Sequence, residues 1–144
     1  MSARIAIEQP TDSEIDIVHA MLKETYWSPG IPRDVVARAC ANSLCAIARD
    51  EAGKLIGFAR LVTDKATFAW LCDVVVLPGK QGRGVGRALV RAFQEHPELQ
   101  GLRRWLLGTK DAHGVYAPLG FTPLDFPERF MQIRHPAPYG RATS

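Results

Sequence analysis

The chain has no disulfide-like set of cysteines, no cysteine and histidine cluster at metal-ligand spacing, and no uninterrupted apolar run long enough to span a bilayer. Each absence removes a class of protein. Cys40, Cys45 and Cys72 are an odd number with no close pair, set among apolar residues, which argues for reduced core thiols rather than a secreted disulfide framework. The four histidines are scattered, so no metal is expected. The amino-terminal stretch MSARIAIEQPTDSEID lacks the apolar centre of an export signal; a soluble, cytoplasmic protein with no membrane partner is expected. No repeat, low-complexity stretch or linker divides the chain. Its 144 residues, 47% of them hydrophobic, suffice for one core of ordinary size, so a single domain over residues 1–144 is expected.

Charge is modest overall, at +3, but unevenly placed. Between residues 80 and 104 six cations, Lys80, Arg83, Arg87, Arg91, Arg103 and Arg104, face only Glu95 and Glu98. A small anion fits this local excess better than a long nucleic acid, which calls for a broader basic face. Nucleic-acid binding through these arginines would give steeply salt-dependent retention. It would not require the glycines interleaved with them, and no nucleic-acid partner is expected.

The hydrophobic period orders the chain. RIAIEQ reads as a short strand; TDSEIDIVHAMLKETY reads as a helix, with Thr11 and Glu14 as a capping box and Ile15, Val18 and Leu22 at helical spacing. PRDVVARACAN is a second helix with Pro32 in its first turn. LCAIARD, KLIGFARLV and TFAWLCDVVVL then form an antiparallel meander broken by DEAG and TDKA. Helical spacing returns at Val85, Ala88, Leu89, Ala92 and Phe93, and RRWLLGT follows as a strand, so DVVVL, helix and RRWLLGT make a crossover unit with parallel strands. Asp111 is expected to cap a short helix ending near Ala117, with FTPL and RFMQIR as one or two closing strands. The result is a mixed sheet with helices on both faces.

The stretch GKQGRGVGRALVRAF lies where a strand turns into a helix. Such a corner exposes the helix's first unpaired N–H groups and the positive end of its dipole, and phosphate is the natural occupant. Gly82, Gly84 and Gly86 let backbone approach a diphosphate, while Gln81, Arg83 and Arg87 can add donors. Two familiar phosphate loops fail on spacing. Gly79-Lys80 is followed by Gln81 and has no glycine five positions before it, so the Walker pattern is absent. The dinucleotide fingerprint would place its third glycine at Arg87 or Leu89.

The spacing that fits is Gln/Arg-x-x-Gly-x-Gly/Ala, as Gln81-Gly82-Arg83-Gly84-Val85-Gly86. With the preceding strand and Pro78 it resembles the acyl-CoA signature of the GCN5-related N-acetyltransferases (GNAT). Downstream, DAHGVYAPLGF is similar to that family's Tyr-x-x-x-Gly-Phe ending, here Tyr116 to Phe121. The order of elements corresponds over nearly the whole chain. The resemblance implies an α/β (α+β) fold: a mixed, mostly antiparallel sheet of six or seven strands, helices on both faces and a central splayed pair of parallel strands. It implies backbone N–H groups from Gln81 to Gly86, Val85 among them, on the pyrophosphate of acetyl-CoA as cosubstrate. Val74, Val75 and Val76 would pair with pantetheine amides. The family often has asparagine early in the second motif; here Thr109 and Lys110 stand there, and Thr109 is the candidate for that contact.

Acetyl transfer to nitrogen needs a neutral amine, a polarised carbonyl and a proton for the leaving thiolate. The resemblance implies Tyr116 as general acid; the alternative is a packed tyrosine bonded to backbone. Asp73 interrupts an apolar run and is either a base or positioning group for the amine, or a carboxylate satisfied by backbone or an arginine. Tyr26, Trp27, Arg60 and Arg129 are candidate acceptor contacts, Tyr26 and Trp27 alternatively stapling a loop to the core. Cys72 as a nucleophile and His113 as a base are the lesser readings. The expected activity is acetyl transfer to a primary amine of a small molecule in a ternary complex; the alternative is a non-catalytic acyl-CoA-binding or sensing module. Late strands could pair between chains as a homodimer.

Overall fold

The computed structural model describes residues 3–140. In chain order the elements are β1 (Arg4–Ile7), α1 (Asp12–Leu22), α2 (Arg33–Ala41), β2 (Leu44–Arg49), β3 (Leu55–Thr63), β4 (Phe68–Val76), α3 (Val85–Gln94), β5 (Arg104–Leu107) and α4 (His113–Tyr116). Five strands form one sheet in the order β1-β2-β3-β4-β5, antiparallel throughout except for the parallel β4–β5 pair. Among the described residues no helix is long and apolar enough to cross a membrane.

The helices begin where their end groups dictate. Thr11 and Glu14 form the expected capping box: the Glu14 N–H donates to Thr11 Oγ1 at 3.2 Å and the Thr11 N–H to Glu14 Oε1 at 3.0 Å. Arg49 of β2 donates through Nε and Nη2 to the same carboxylate, at 2.9 Å each, which ties α1 to the sheet. Pro32 is the residue before the first turn of α2 rather than inside it. The last short helix is not capped by Asp111; Thr109 Oγ1 accepts the Ala112 N–H at 3.0 Å and closes that turn instead.

Two buried layers follow from strand alternation. Ile15, Val18, Leu22, Val36 and Cys40 of α1 and α2 pack on Cys45, Ile47 and Phe58, on one face of the sheet. Val85, Leu89, Val90 and Phe93 of α3 pack on Ala46, Ala48, Ala59, Leu61, Ala69 and Leu71, on the other. The sheet residues under α3 are mostly small, and Gly57 is the closest approach: a Cβ there would lie 2.9 Å from Val85 Cγ1 and 3.3 Å from Leu89 Cδ1.

The expected six or seven strands are five, and the shortfall lies in the tail. FTPL and RFMQIR are not strands. Pro123 removes a ladder donor from the first. Around the second, Pro127–Arg129 winds into a 3-10 turn, Met131 and Ile133 are fully exposed, and among the described residues no strand pairs with this segment.

Gly57→Ala tests this packing. The new methyl meets a stiff β-branched side chain buried in the core, and unfolding in urea should show a loss of about 1–3 kcal/mol with an unchanged m-value.

Candidate functional site

The site begins with a fault in β4. Arg60 pairs with Asp73 and Leu61 with Leu71, leaving Cys72 as an extra residue on β4. A bulge bends its strand and shifts the alternation by one. Ala69 and Leu71 face α3 before it; Val74 and Val76 face α3 after it. Asp73 and Val75 are thereby turned toward α1 and α2. Pairing of β4 with β5 also ends at Leu71 and Leu107, whereas β3 stays paired with β4 as far as Val76. Residues 73–76 therefore carry a row of backbone groups with no strand on the β5 side.

That bare edge runs into the glycine loop. Leu77 N–H still reaches Ile56 O at 2.8 Å; beyond it, Gly82 and Gly84 have φ of 78° and 79°, a left-handed backbone that disfavours side chains. A Cβ at either would meet nothing within 4 Å, so the loop's shape is not imposed by packing and its outer side is open. The first bond inside α3 runs from Ala88 N–H to Gly84 O at 3.0 Å, so the N–H groups of Val85, Gly86 and Arg87 precede the helical ladder. Gln81 is held back on the strand, its Nε2 donating to Val76 O at 3.3 Å. Arg83 and Arg87 are both exposed beside the corner.

Below the loop, Asp73 is only 6% exposed and both its oxygens are engaged. Trp27 Nε1 donates to Oδ1 and Arg60 Nε to Oδ2, each at 2.7 Å. Burial opposes the charge on Arg60, but Asp73 outweighs it and raises the guanidinium's pKa. Arg60 also donates to Ser43 Oγ at 3.2 Å. These groups border a cavity of about 160 Å³ with Ser28, Cys40, Cys72 and Tyr139 on its wall. Burial pushes the Cys72 thiol up from its ordinary value, which keeps it from serving as a thiolate.

The opposite wall comes from the β5–α4 turn. Tyr26 Oη accepts the Lys110 N–H at 2.9 Å, and Lys110 Nζ lies 5.3 Å from the Tyr26 ring centre, so Tyr26 bridges from the loop after α1 to the turn beyond β5. Its ring meets Trp27 edge-on at 5.1 Å. Tyr116 stands within electrostatic reach of Tyr26, and burial first, then Tyr26, raises its phenol above the ordinary value of 10.0. Among the described residues nothing hydrogen-bonds the Tyr116 hydroxyl, while its ring packs against Phe121 at 6.0 Å.

The fold thus gathers Tyr26, Trp27, Arg60, Asp73, Thr109 and Tyr116 around the gap between β4 and β5. It does not bring Arg129 there: that side chain stacks on Phe126 at 3.8 Å in the tail. His113 is exposed. Tyr139 is the residue sequence reasoning missed, a lone tyrosine between Pro138 and Gly140 with no periodic signal around it. Among the described residues no group of histidine, cysteine and carboxylate side chains could hold a metal.

Comparison with known proteins identifies the fold and family. The model of the Acetyltransferase (GNAT) family matches residues 14–121. A candidate acetyltransferase of that family from Xanthomonas campestris pv. campestris is 42% identical, with a TM-score of 0.90 over 98% of this chain and 99% of its own. FG08082, a candidate acetyltransferase of Gibberella zeae, is 30% identical over 71% of this chain and 69% of its own length. The aminoglycoside N-acetyltransferase AAC(6')-Iy, solved in complex with CoA, shares the fold at 22% identity and a TM-score of 0.67, over 94% of this chain and 97% of that one.

The Asp73 carboxylate is required first by its neighbours. Asp73→Ala leaves the part-buried Arg60 uncompensated, and chemical unfolding should show a loss of about 3–5 kcal/mol, an effect independent of any substrate.

Proposed function

The chain belongs to the GNAT family of acetyltransferases, and from that premise we propose that it moves an acetyl group from acetyl-CoA to a primary amine of a small molecule, by direct attack in a ternary complex. One observation carries the reading: the bare backbone edge at residues 73–76 leads directly into a left-handed glycine loop at a helix N-terminus. The edge suits the amides of a pantetheine arm, and the loop suits a diphosphate. The residues present fit the cosubstrate, with Gln81 to Gly86 and Arg87 at its pyrophosphate, Val74 to Val76 along its arm and Thr109 across the gap.

Acetyl-CoA supplies an activated thioester. The amine's lone pair forms the new C–N bond as the C–S bond breaks, and the amine proton goes to water. Tyr116 gives its phenolic proton to the departing sulfur and is recharged from solvent. Its raised pKa keeps that proton in place at neutral pH. Asp73, with both oxygens engaged, acts by holding Trp27 and Arg60 at the acceptor pocket rather than by taking a proton. The pocket's size, about 160 Å³, supports a small acceptor group. Tyr26 and Trp27 flank the amine's approach; Arg129 stands apart from it.

The engagement of Asp73 also favours a second reading, a non-catalytic acyl-CoA sensor, since no free carboxylate base is offered. Tight CoA binding without free-thiol release across an amine panel would select it.

Two measurements test the first reading. Tyr116→Phe should lower kcat by about 100-fold or more while leaving the KM for acetyl-CoA unchanged. The acid works only when protonated, so the alkaline fall of wild-type kcat should lie at the raised tyrosine pKa, above the rise that comes from deprotonation of the acceptor amine; unaltered turnover in the variant would remove Tyr116 from the chemistry. Gly84→Val strains the loop at its helix junction, and calorimetry should show CoA affinity reduced by about tenfold or more.

A further inference from the structure

The cavity beside Asp73 is almost neutral and almost fully bonded. Its wall holds one acid and one base, Asp73 and Arg60, joined to each other at 2.7 Å. The second Asp73 oxygen is taken by Trp27, so no carboxylate oxygen is left over. The Ser28 hydroxyl proton goes to Leu22 O at 2.9 Å, and the Cys72 thiol proton to Trp70 O at 3.4 Å. Leu22, Ile31, Val36 and Ala39 give the rest of the wall an apolar surface.

Two donors remain. Arg60 directs Nε to Asp73 and Nη1 to Ser43, and among the described residues nothing accepts from its Nη2. Tyr139 lies on the same wall, and among the described residues its hydroxyl has no partner either. Every fully enclosed side-chain nitrogen or oxygen among those residues is hydrogen-bonded, so both groups must have open space beside them. The cavity is open space that both residues border.

We propose that the tail of the acceptor, the part that fills this cavity, is uncharged and carries one hydrogen-bond-accepting oxygen, an ether or a carbonyl, received by Arg60 Nη2 and Tyr139 Oη. The inference rests on the acetyl-transfer reading only in placing a reacting amine at the outer end of that tail. Charged tails are disfavoured in both signs. A second ammonium would be enclosed beside the Arg60 guanidinium with both Asp73 oxygens already engaged. A carboxylate would leave two negative charges sharing one enclosed cation. A wholly apolar tail suits the walls but covers both donors without pairing them. Tyr139 thereby sets the polarity of the acceptor, a role separate from the transfer of the acetyl group.

Four amines test this with acetyl-CoA: 3-methoxypropylamine, pentylamine, β-alanine and 1,3-diaminopropane. They place an ether oxygen, a methylene, a carboxylate oxygen and an ammonium at the same number of bonds from the reacting nitrogen. The ether should show a KM about tenfold below that of pentylamine, and both charged amines a kcat/KM about 100-fold or more below that of the ether. Tyr139→Phe should raise the KM for the ether and bring it close to that for pentylamine. A charged amine preferred over the ether, pentylamine equal to it in the wild type, or a variant that keeps the preference would each overturn the proposal, and the wild-type series decides even where the variant fails to fold. Should none of the amines be acetylated, the transfer reading fails separately and the cavity is tested without chemistry. The Trp27 indole N–H resonance should then shift with 1-methoxypropane and stay in place with propanoate or propylammonium at equal concentration; the reverse order, or no shift with any of them, would overturn the inference about the tail.

Discussion

The extra residue in β4 is the constraint from which the site descends. Were residues 71–73 in regular alternation, with no bulge at Cys72, Asp73 would share a face with Leu71 and lie under α3, where an apolar layer has no partner for it. With it, the carboxylate meets Arg60 on the same face and Trp27 from the loop above. Pairing with β5 stops at the same place, since β5 ends at Leu107 opposite Leu71, and the sheet opens into a gap beside residues 73–76. The bulge and the short β5 together set the buried ion pair beside a bare backbone edge.

What fills the gap is governed by backbone more than by side chains. The unpaired edge and the helix corner present N–H groups in a row, and the loop reaches that geometry because its glycines tolerate left-handed backbone with nothing packed against them. Side chains enter only at the rim. Tyr26 spans the opening to the Lys110 amide, and Tyr116 stands nearby with a phenol that burial keeps protonated. On the proposed reading, the grip on the cosubstrate would lie in the main chain, and the acceptor would meet the loop after α1 and Tyr139.

Much of this was legible in the sequence where the determinant is local. The capping box at Thr11 and Glu14, the meander broken by turn residues and the strand-glycine-helix corner all depend on neighbours in the chain, and each stands where its spacing placed it. The Arg60–Asp73 pair was only half legible: an isolated carboxylate in an apolar run demanded a partner, but which one depended on a register that the bulge sets across two strands. Thr109 displaced Asp111 at the last short helix because the turn begins earlier than the helical residues do. The tail was misread for a physical reason. RFMQIR has the alternation of a strand, yet alternation only states a preference, and a strand needs an edge within reach.

The central claim is that residues 73–76 and the loop at 81–87 form one surface for an acyl-CoA. Amide hydrogen exchange with and without CoA addresses it directly, residue by residue. Binding should slow exchange at residues 74–76 and 81–87 together, with the remote strand β1 unchanged. Exchange at those two segments that stays the same in saturating CoA would contradict the account.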